Sequence, residues 1–293
     1  MTVLYSRPAQ PVDPGLLSHA LEVGGRLAND AAEVIAATAE RGCRVGANAE
    51  AHLYDWVTDT GRTLERHTRR VLAAEFPDIP VVGPEYSSDY AAPGASDTLY
   101  RWLVAPVDGA ANYLAGLPWY GYSLALLDDS GPVVGVISDP SRAEIYAAAR
   151  GRGTRVNGVP VRLPEQVAAV GYPVCIELAR DGDWPGLARF LGLAASARCG
   201  VRMLGSPALA IAQVALGHAV AAVLEDYREW EVGAGLALAL EAGAVVLDRL
   251  GRPDPVPAGG LLVAAPSVAP DVFGWWQAAG VQAAGVQAQP EAS

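Results

Sequence analysis

Apolar residues recur at helical spacing from Gly15 to about Arg41. Leu16, Leu17, Ala20, Leu21, Leu27, Ala31, Val34 and Ile35 fall on one stripe, which predicts a long amphipathic helix. The Pro-rich stretch before it, residues 1–13, reads as an arm. A second helix fits Thr60 to Phe76, with Thr60 as N-cap and Asp55 and Asp59 as further capping candidates; Pro77-Asp78 ends it. The period then shortens. Ile79–Gly83 reads as a short strand, and residues 86–98, rich in Ser, Gly, Asp and Pro, as a loop. Strands follow at 99–104, 120–127, 132–138 and 144–149, separated by turn residues such as Asp128-Asp129-Ser130-Gly131, and Asn157-Gly158 marks a hairpin.

Beyond residue 165 the pattern alternates. Strands are expected at Val167–Tyr172, Ala219–Leu224, Ala244–Asp248 and Leu261–Ala265. Helices are expected at Asp183–Leu191, Pro207–Leu216, Trp230–Glu241 and Pro270–Ala279. The chain thus divides into an arm (1–13), an antiparallel α+β half (14–164), an α/β half (165–280) and a low-complexity tail (281–293).

Composition narrows the function classes. The net charge of −11 offers no basic stripe to neutralise phosphates, so nucleic acid is not an expected partner. Lys is absent and all 21 basic residues are Arg, which with the abundant Ala and Gly suits a GC-rich bacterial genome. Cys43, Cys175 and Cys199 are widely spaced, with no CxxC, and imply neither a disulfide framework nor a zinc site. With no basic-then-apolar leader at the N-terminus, a cytoplasmic location is expected. Met203–Leu224 is uncharged and long, but Gly205, Ser206, Pro207, Gln213, Gly217 and His218 interrupt it, so a buried helix and strand are expected there and no membrane span.

The segment Trp102-Leu-Val-Ala-Pro-Val-Asp-Gly-Ala-Ala-Asn-Tyr113 carries the chemistry. A buried strand runs into a turn holding Asp108. Gly109, Ala110 and Ala111 then open a helix whose N–H groups can cradle an anion. Four other segments stand in order around it. They are Asp55-Trp-Val-Thr58-Asp59, Val82-Gly83-Pro84-Glu85, Gly151-Arg-Gly-Thr-Arg-Val-Asn157-Gly158, and Trp230-Glu231-Val-Gly-Ala-Gly235 with Glu241-Ala-Gly243. Together the five resemble the landmarks of the inositol monophosphatase superfamily over roughly residues 15 to 280: D-x-V-T-x-x-D, G-E-E, D-P-I-D-G-T-T-N-F, G-x-G-(A/T)-x-x-N-G, and W-D-x-A-A-G with E-A-G.

The resemblance implies a layered αβαβα sandwich, a homodimer, and Mg²⁺-dependent hydrolysis of phosphomonoesters by a carboxylate-held metal cluster. The departures fall on the ligands that resemblance supplies. Pro84 stands for the first Glu of G-E-E, Ala105 for the first Asp of D-P-I-D-G-T-T, and Gly61 for the last Asp of D-x-V-T-x-x-D. Ala110 replaces a Thr, and Glu231 replaces an Asp. Asp108 survives, as does the carbonyl position of Val107. Asp108 and Glu231, with Glu85 as a third candidate, could balance at most one weakly held Mg²⁺; two metals about 3.5–4 Å apart would be under-neutralised. Glu225 maps loosely onto a substrate-hydroxyl contact, and Arg228 is a candidate for an anionic group.

Three readings are open from the sequence. One is a repurposed small-molecule enzyme that uses Asp108 with Glu85 or Glu231 as acid and base, on a ligand cradled by Val107, Gly109, Ala110, Ala111, Glu225 and Arg228. The others are a weak Mg²⁺-dependent phosphatase on a sugar, inositol or nucleoside phosphate, and a non-catalytic binder of a phosphorylated metabolite.

Overall fold

The computed structural model describes residues 11–42, 59–86, 99–164, 168–178, 184 and 186–286. Two helices lead. α1 (Pro14–Gly42) buries Leu17, Ala20, Val23, Leu27, Ala28, Ala31 and Ile35, the expected stripe. α2 (Asp59–Glu75) begins one residue earlier than expected, so Thr60 lies in its first turn rather than capping it; its hydroxyl meets the Tyr113 hydroxyl at 3.0 Å.

Both helices cover one face of a seven-stranded sheet, sheet A. Its strands are β1 (Val81–Val82), β2 (Tyr100–Asp108), β3 (Gly121–Asp128), β4 (Gly131–Asp139), β5 (Glu144–Ala149), β6 (Gly153–Val156) and β7 (Val159–Val161), in that spatial order. β1 runs parallel to β2 and every other pairing is antiparallel. Asn157 (φ 47°) and Gly158 (φ 82°) make the β6–β7 turn, as the Asn-Gly pair predicts. The short helix α3 (Ala110–Ala115) follows β2.

Sheet B has five strands: β8 (Pro173–Glu177), β9 (Gly200–Arg202), β10 (Ala221–Leu224), β11 (Val245–Leu247) and β12 (Leu261–Ala264), ordered β11-β12-β10-β8-β9. Between the sheets lie α5 (Pro207–Ala215) and α6 (Glu229–Ala242), whose residues are buried almost all round. A helix between two sheets has no solvent face, which explains why neither shows an amphipathic pattern. α4 (Leu187–Ser196) and α7 (Ala269–Val286) close the far face of sheet B. The result is the expected αβαβα sandwich.

Three expectations for the second half shift. The strand expected at Val167–Tyr172 lies at 173–177 instead, because Gly171 (φ 86°) and the Tyr172 N–H to Ala169 carbonyl bond make residues 169–172 a turn. The helix expected at 183–191 starts only after Pro185-Gly186 and runs to Ser196. α7 continues to Val286, past the expected start of the tail at 281, since no proline interrupts the chain before Pro290. Met203–Leu224 holds α5 and β10, and no described helix is long and apolar enough to cross a membrane.

Candidate active site

The site is built on an irregularity in β2. Ala105 pairs with Ser123 and Asp108 with Gly121, so three steps on β2 match two on β3. In a regular strand, positions three apart face opposite sides. The extra residue in Pro106-Val107 forms a bulge that turns both Ala105 and Asp108 toward α5 and α6, while the Val107 side chain packs on the α1/α2 side. Gly109 follows in the left-handed region (φ 75°), where a Cβ would sit 2.5 Å from the Trp119 carbonyl oxygen. Only glycine fits that position on both counts.

Asp108 is 4% exposed. Its Oδ2 accepts hydrogen bonds from the Ser206 hydroxyl and, at 3.0 Å, from the Ala208 N–H. Ser206 is the N-cap of α5, with Pro207 at the next position, so Asp108 is the anion that meets this helix N-terminus. Burial nevertheless dominates and lifts the Asp108 carboxyl to about 8; the bonds from Ser206 and Ala208 oppose the rise, and Glu231 and Glu177 add to it. At neutral pH Asp108 therefore carries a proton. With Oδ2 accepting two bonds, that proton belongs on Oδ1.

Glu177 was not among the sequence candidates. It ends β8 in register with Leu224 and shares the face of Cys175, toward α5. Its carboxylate accepts the N–H of Leu204 (3.2 Å) and of Gly205 (3.0 and 3.1 Å), and burial raises it to about 7. The signal in the sequence is an acid closing the apolar run Val174-Cys175-Ile176, at the carboxyl end of a parallel strand. Glu231, on the first turn of α6, accepts the Arg228 N–H at 2.7 Å and acts electrostatically on both other acids. Asp108, Glu177 and Glu231 thus form one group.

The other candidates are placed differently. Glu85 lies with Arg62 (3.7 Å) and Glu65, the charged groups that act on its carboxyl; burial and Glu65 raise it and Arg62 lowers it. Its N–H donates to Glu65 Oε2 at 3.0 Å, and the fully buried Glu65 is gripped by Arg69 at 2.8 and 3.0 Å. Glu225 faces α7 on the opposite side of sheet B, bound by Arg249 and the Trp276 indole N–H. The Arg228 side chain is exposed. Ala110 and Ala111 form the first turn of α3 beside Gly109, and Asn112 ties that helix to its surroundings by donating to the carbonyls of Trp119 (2.8 Å) and Leu204 (2.6 Å). Gly61 is buried in α2, and Pro84 is exposed beside Glu85. Asp55 and Thr58 lie outside the described residues. Of the histidines, His19, His67 and His218 contact Glu75, Asp30 and Gln213 respectively, and His52 lies outside the described residues. A groove between α1 and α2, lined by Arg26, Asp30, His67 and Arg70, belongs to the other face of sheet A.

The profile of the inositol monophosphatase family matches residues 16–286. The chain belongs to the inositol monophosphatase family. An inositol-1-monophosphatase of Rhizobium meliloti is 32% identical over 215 residues, covering 71% of this chain and 77% of its own. A Nus factor SuhB of Pseudomonas aeruginosa is 30% identical over 240 residues, covering 79% and 86%. Among solved structures, the inositol monophosphatase of Anabaena superposes with a TM-score of 0.74 at 25% identity, over 91% of this chain and 96% of the other.

Family chemistry normally runs on Mg²⁺, which needs hard oxygen donors in near-octahedral array. In this inositol monophosphatase relative, Pro84 and Ala105 present no side-chain oxygen. The Oδ2 of Asp108 and the Oε2 of Glu231 are each taken by donors of the chain itself. Among the described residues, no group of three His, Cys, Asp or Glu side chains is spaced to hold a metal ion.

Proposed function

We propose that this member of the family acts on a small polar metabolite by proton transfer at Asp108, without a two-metal centre. The observation that carries this reading is the donor set. Two ligand positions lack oxygen, and the surviving Asp108 and Glu231 are held by Ser206, Ala208 and Arg228 rather than left open to cations. A protonated Asp108 fits the role of general acid, and Glu231, which is half-buried at the mouth, that of its charged partner. Glu177 takes the place given to Glu85 in the sequence reading, because it acts on the same group of acids and Glu85 does not.

The test is phosphate release from inositol and sugar phosphates with and without Mg²⁺. The unmodified chain should remain at the buffer rate. Pro84→Glu combined with Ala105→Asp should introduce Mg²⁺-dependent release. Turnover by the unmodified chain in the ordinary range, about 1–10³ s⁻¹ with Mg²⁺, would refute the reading.

A further inference from the structure

We propose that the Asp108 mouth selects a ligand with a cationic amino head and an apolar body, and that Glu177 is the residue that turns phosphate monoesters away. This inference rests on the metal-independent reading above.

A phosphate recognised at this end of α5 would need the donors found there: the N–H groups of Leu204, Gly205 and Ala208 and the hydroxyl of Ser206. All four already serve the chain's own acids, two on Glu177 and two on Asp108. An entering phosphate would have to displace a carboxyl and then lie beside Asp108, Glu177 and Glu231. Among the leading influences on the Asp108 and Glu177 carboxyls, other acids appear and no Arg does. A cation meets the reverse situation.

A second, independent feature points to a ligand. Ser123 is 1% exposed, and its hydroxyl has no hydrogen-bond partner. It lies on the inner face of β3, directly opposite Ala105 and two residues from Gly121, which pairs with Asp108. The methyl group of Ala105 offers it no partner. A buried hydroxyl is rarely left unmatched, so the notch beside Asp108 is built for a polar atom that the chain does not supply. With Ser123 Oγ on its floor and carboxyls on its wall, the notch is a set of acceptors, suited to an ammonium with its three N–H donors.

The rim supplies the apolar half. Leu117, Leu178 and Met203 are 53%, 39% and 56% exposed. Leu178 follows Glu177, Met203 precedes Leu204, and Leu117 belongs to the turn that Asn112 ties to Leu204. A polyhydroxylated ring would gain little from these side chains, whereas an alkyl or aryl body would cover them.

The test uses three probes with one body and different heads: hexylamine, hexanol and hexyl phosphate. Binding is read by calorimetry and by the shift in melting temperature, with and without Mg²⁺. Hexylamine should bind at least about tenfold more tightly than hexanol, and hexyl phosphate should give no shift. Glu177→Gln keeps the shape and the N–H bonds but removes the charge. It should weaken hexylamine about tenfold, leave hexanol within about twofold, and admit hexyl phosphate. Ser123→Ala, which disturbs no existing bond, should weaken hexylamine and spare hexanol, and it serves if Glu177→Gln does not fold. Hexylamine binding no better than hexanol, or hexyl phosphate binding the unmodified chain as well as hexylamine, would overturn the inference. If Mg²⁺ is silent in that case, the metal-independent reading survives. Saturable stabilisation by Mg²⁺ alone, with hexyl phosphate recruited on top of it, would overturn both.

Discussion

The buried proton of Asp108 makes folding stability depend on pH in a direction that can be worked out. An ordinary aspartyl carboxyl titrates near 3.8, and burial lifts this one to about 8. Below the lower value the group is protonated in folded and unfolded chains alike. Between the two values the folded chain holds a proton that the unfolded chain has released, so stability falls as pH rises and levels off above about 8. Asp108→Asn removes this dependence while mimicking the neutral acid. The amide oxygen can still accept from Ser206 and Ala208, the two donors that Oδ2 serves now. From about pH 5 to about pH 9 the unmodified chain should therefore lose stability relative to the variant by on the order of 4 kcal/mol, at about 1.4 kcal/mol for each pH unit up to the raised value. Glu177, raised to about 7, adds a similar slope to both proteins and largely cancels in the difference. Urea unfolding at several pH values, with the slope against urea held common, measures the gap. A gap that stays flat within about 1 kcal/mol, or that widens in favour of the unmodified chain, would refute the assignment of a buried neutral acid at this position.

Other substitutions probe the scaffold. Gly109→Ala should cost about 1–2 kcal/mol for the left-handed backbone alone, and more for the contact with the Trp119 carbonyl, read as a lowered urea midpoint. Ser206→Ala removes both the α5 cap and a donor to Asp108; thermal unfolding should show a loss of about 1–2 kcal/mol, larger at high pH where the carboxylate needs that donor most. Arg69→Met strands the fully buried Glu65 and should destabilise by about 3–5 kcal/mol, whereas Arg62→Met, opposite Glu85 on an exposed side chain, should cost under about 1 kcal/mol; equal effects in chemical denaturation would contradict the burial difference.

What the sequence revealed and what it hid follow from the range of the interactions. α1, the antiparallel strands and the Asn157-Gly158 turn are set by local period and turn chemistry, and they fall within a few residues of their expected places. Asp108 stood out because Asp-Gly after an apolar strand is a local signature. Glu177 did not, because its importance comes from Leu204 and Gly205, 27 and 28 residues away in sequence. Ser206 was missed for the same reason, lying 98 residues from Asp108. The side that Glu225 faces is decided by alternation: Leu224, in register with Glu177, points toward α5, so Glu225 points to α7 and Trp276. No local pattern shows that Ala105 and Asp108 share a face, since the bulge exists only in the pairing with β3.

Acids gathered around a metal normally repel one another when the cation is absent, and such a site depends on its ion for part of its stability. The arrangement here answers that problem within the chain. Asp108 has Ser206 and Ala208, Glu177 has Leu204 and Gly205, Glu231 has the Arg228 N–H, and Glu85 has Arg62 nearby. Pro84 and Ala105 bring no carboxylate to the cluster at all. Under the proposal, losing those two side chains and acquiring internal donors are parts of one change, because fewer acids, each with its own donor, leave a pocket that folds without a cation. The orphaned Ser123 hydroxyl is the exception to that internal satisfaction, and it lies opposite Ala105. In a site whose other polar groups are matched from within, that unmatched hydroxyl marks the place where a ligand makes its contact.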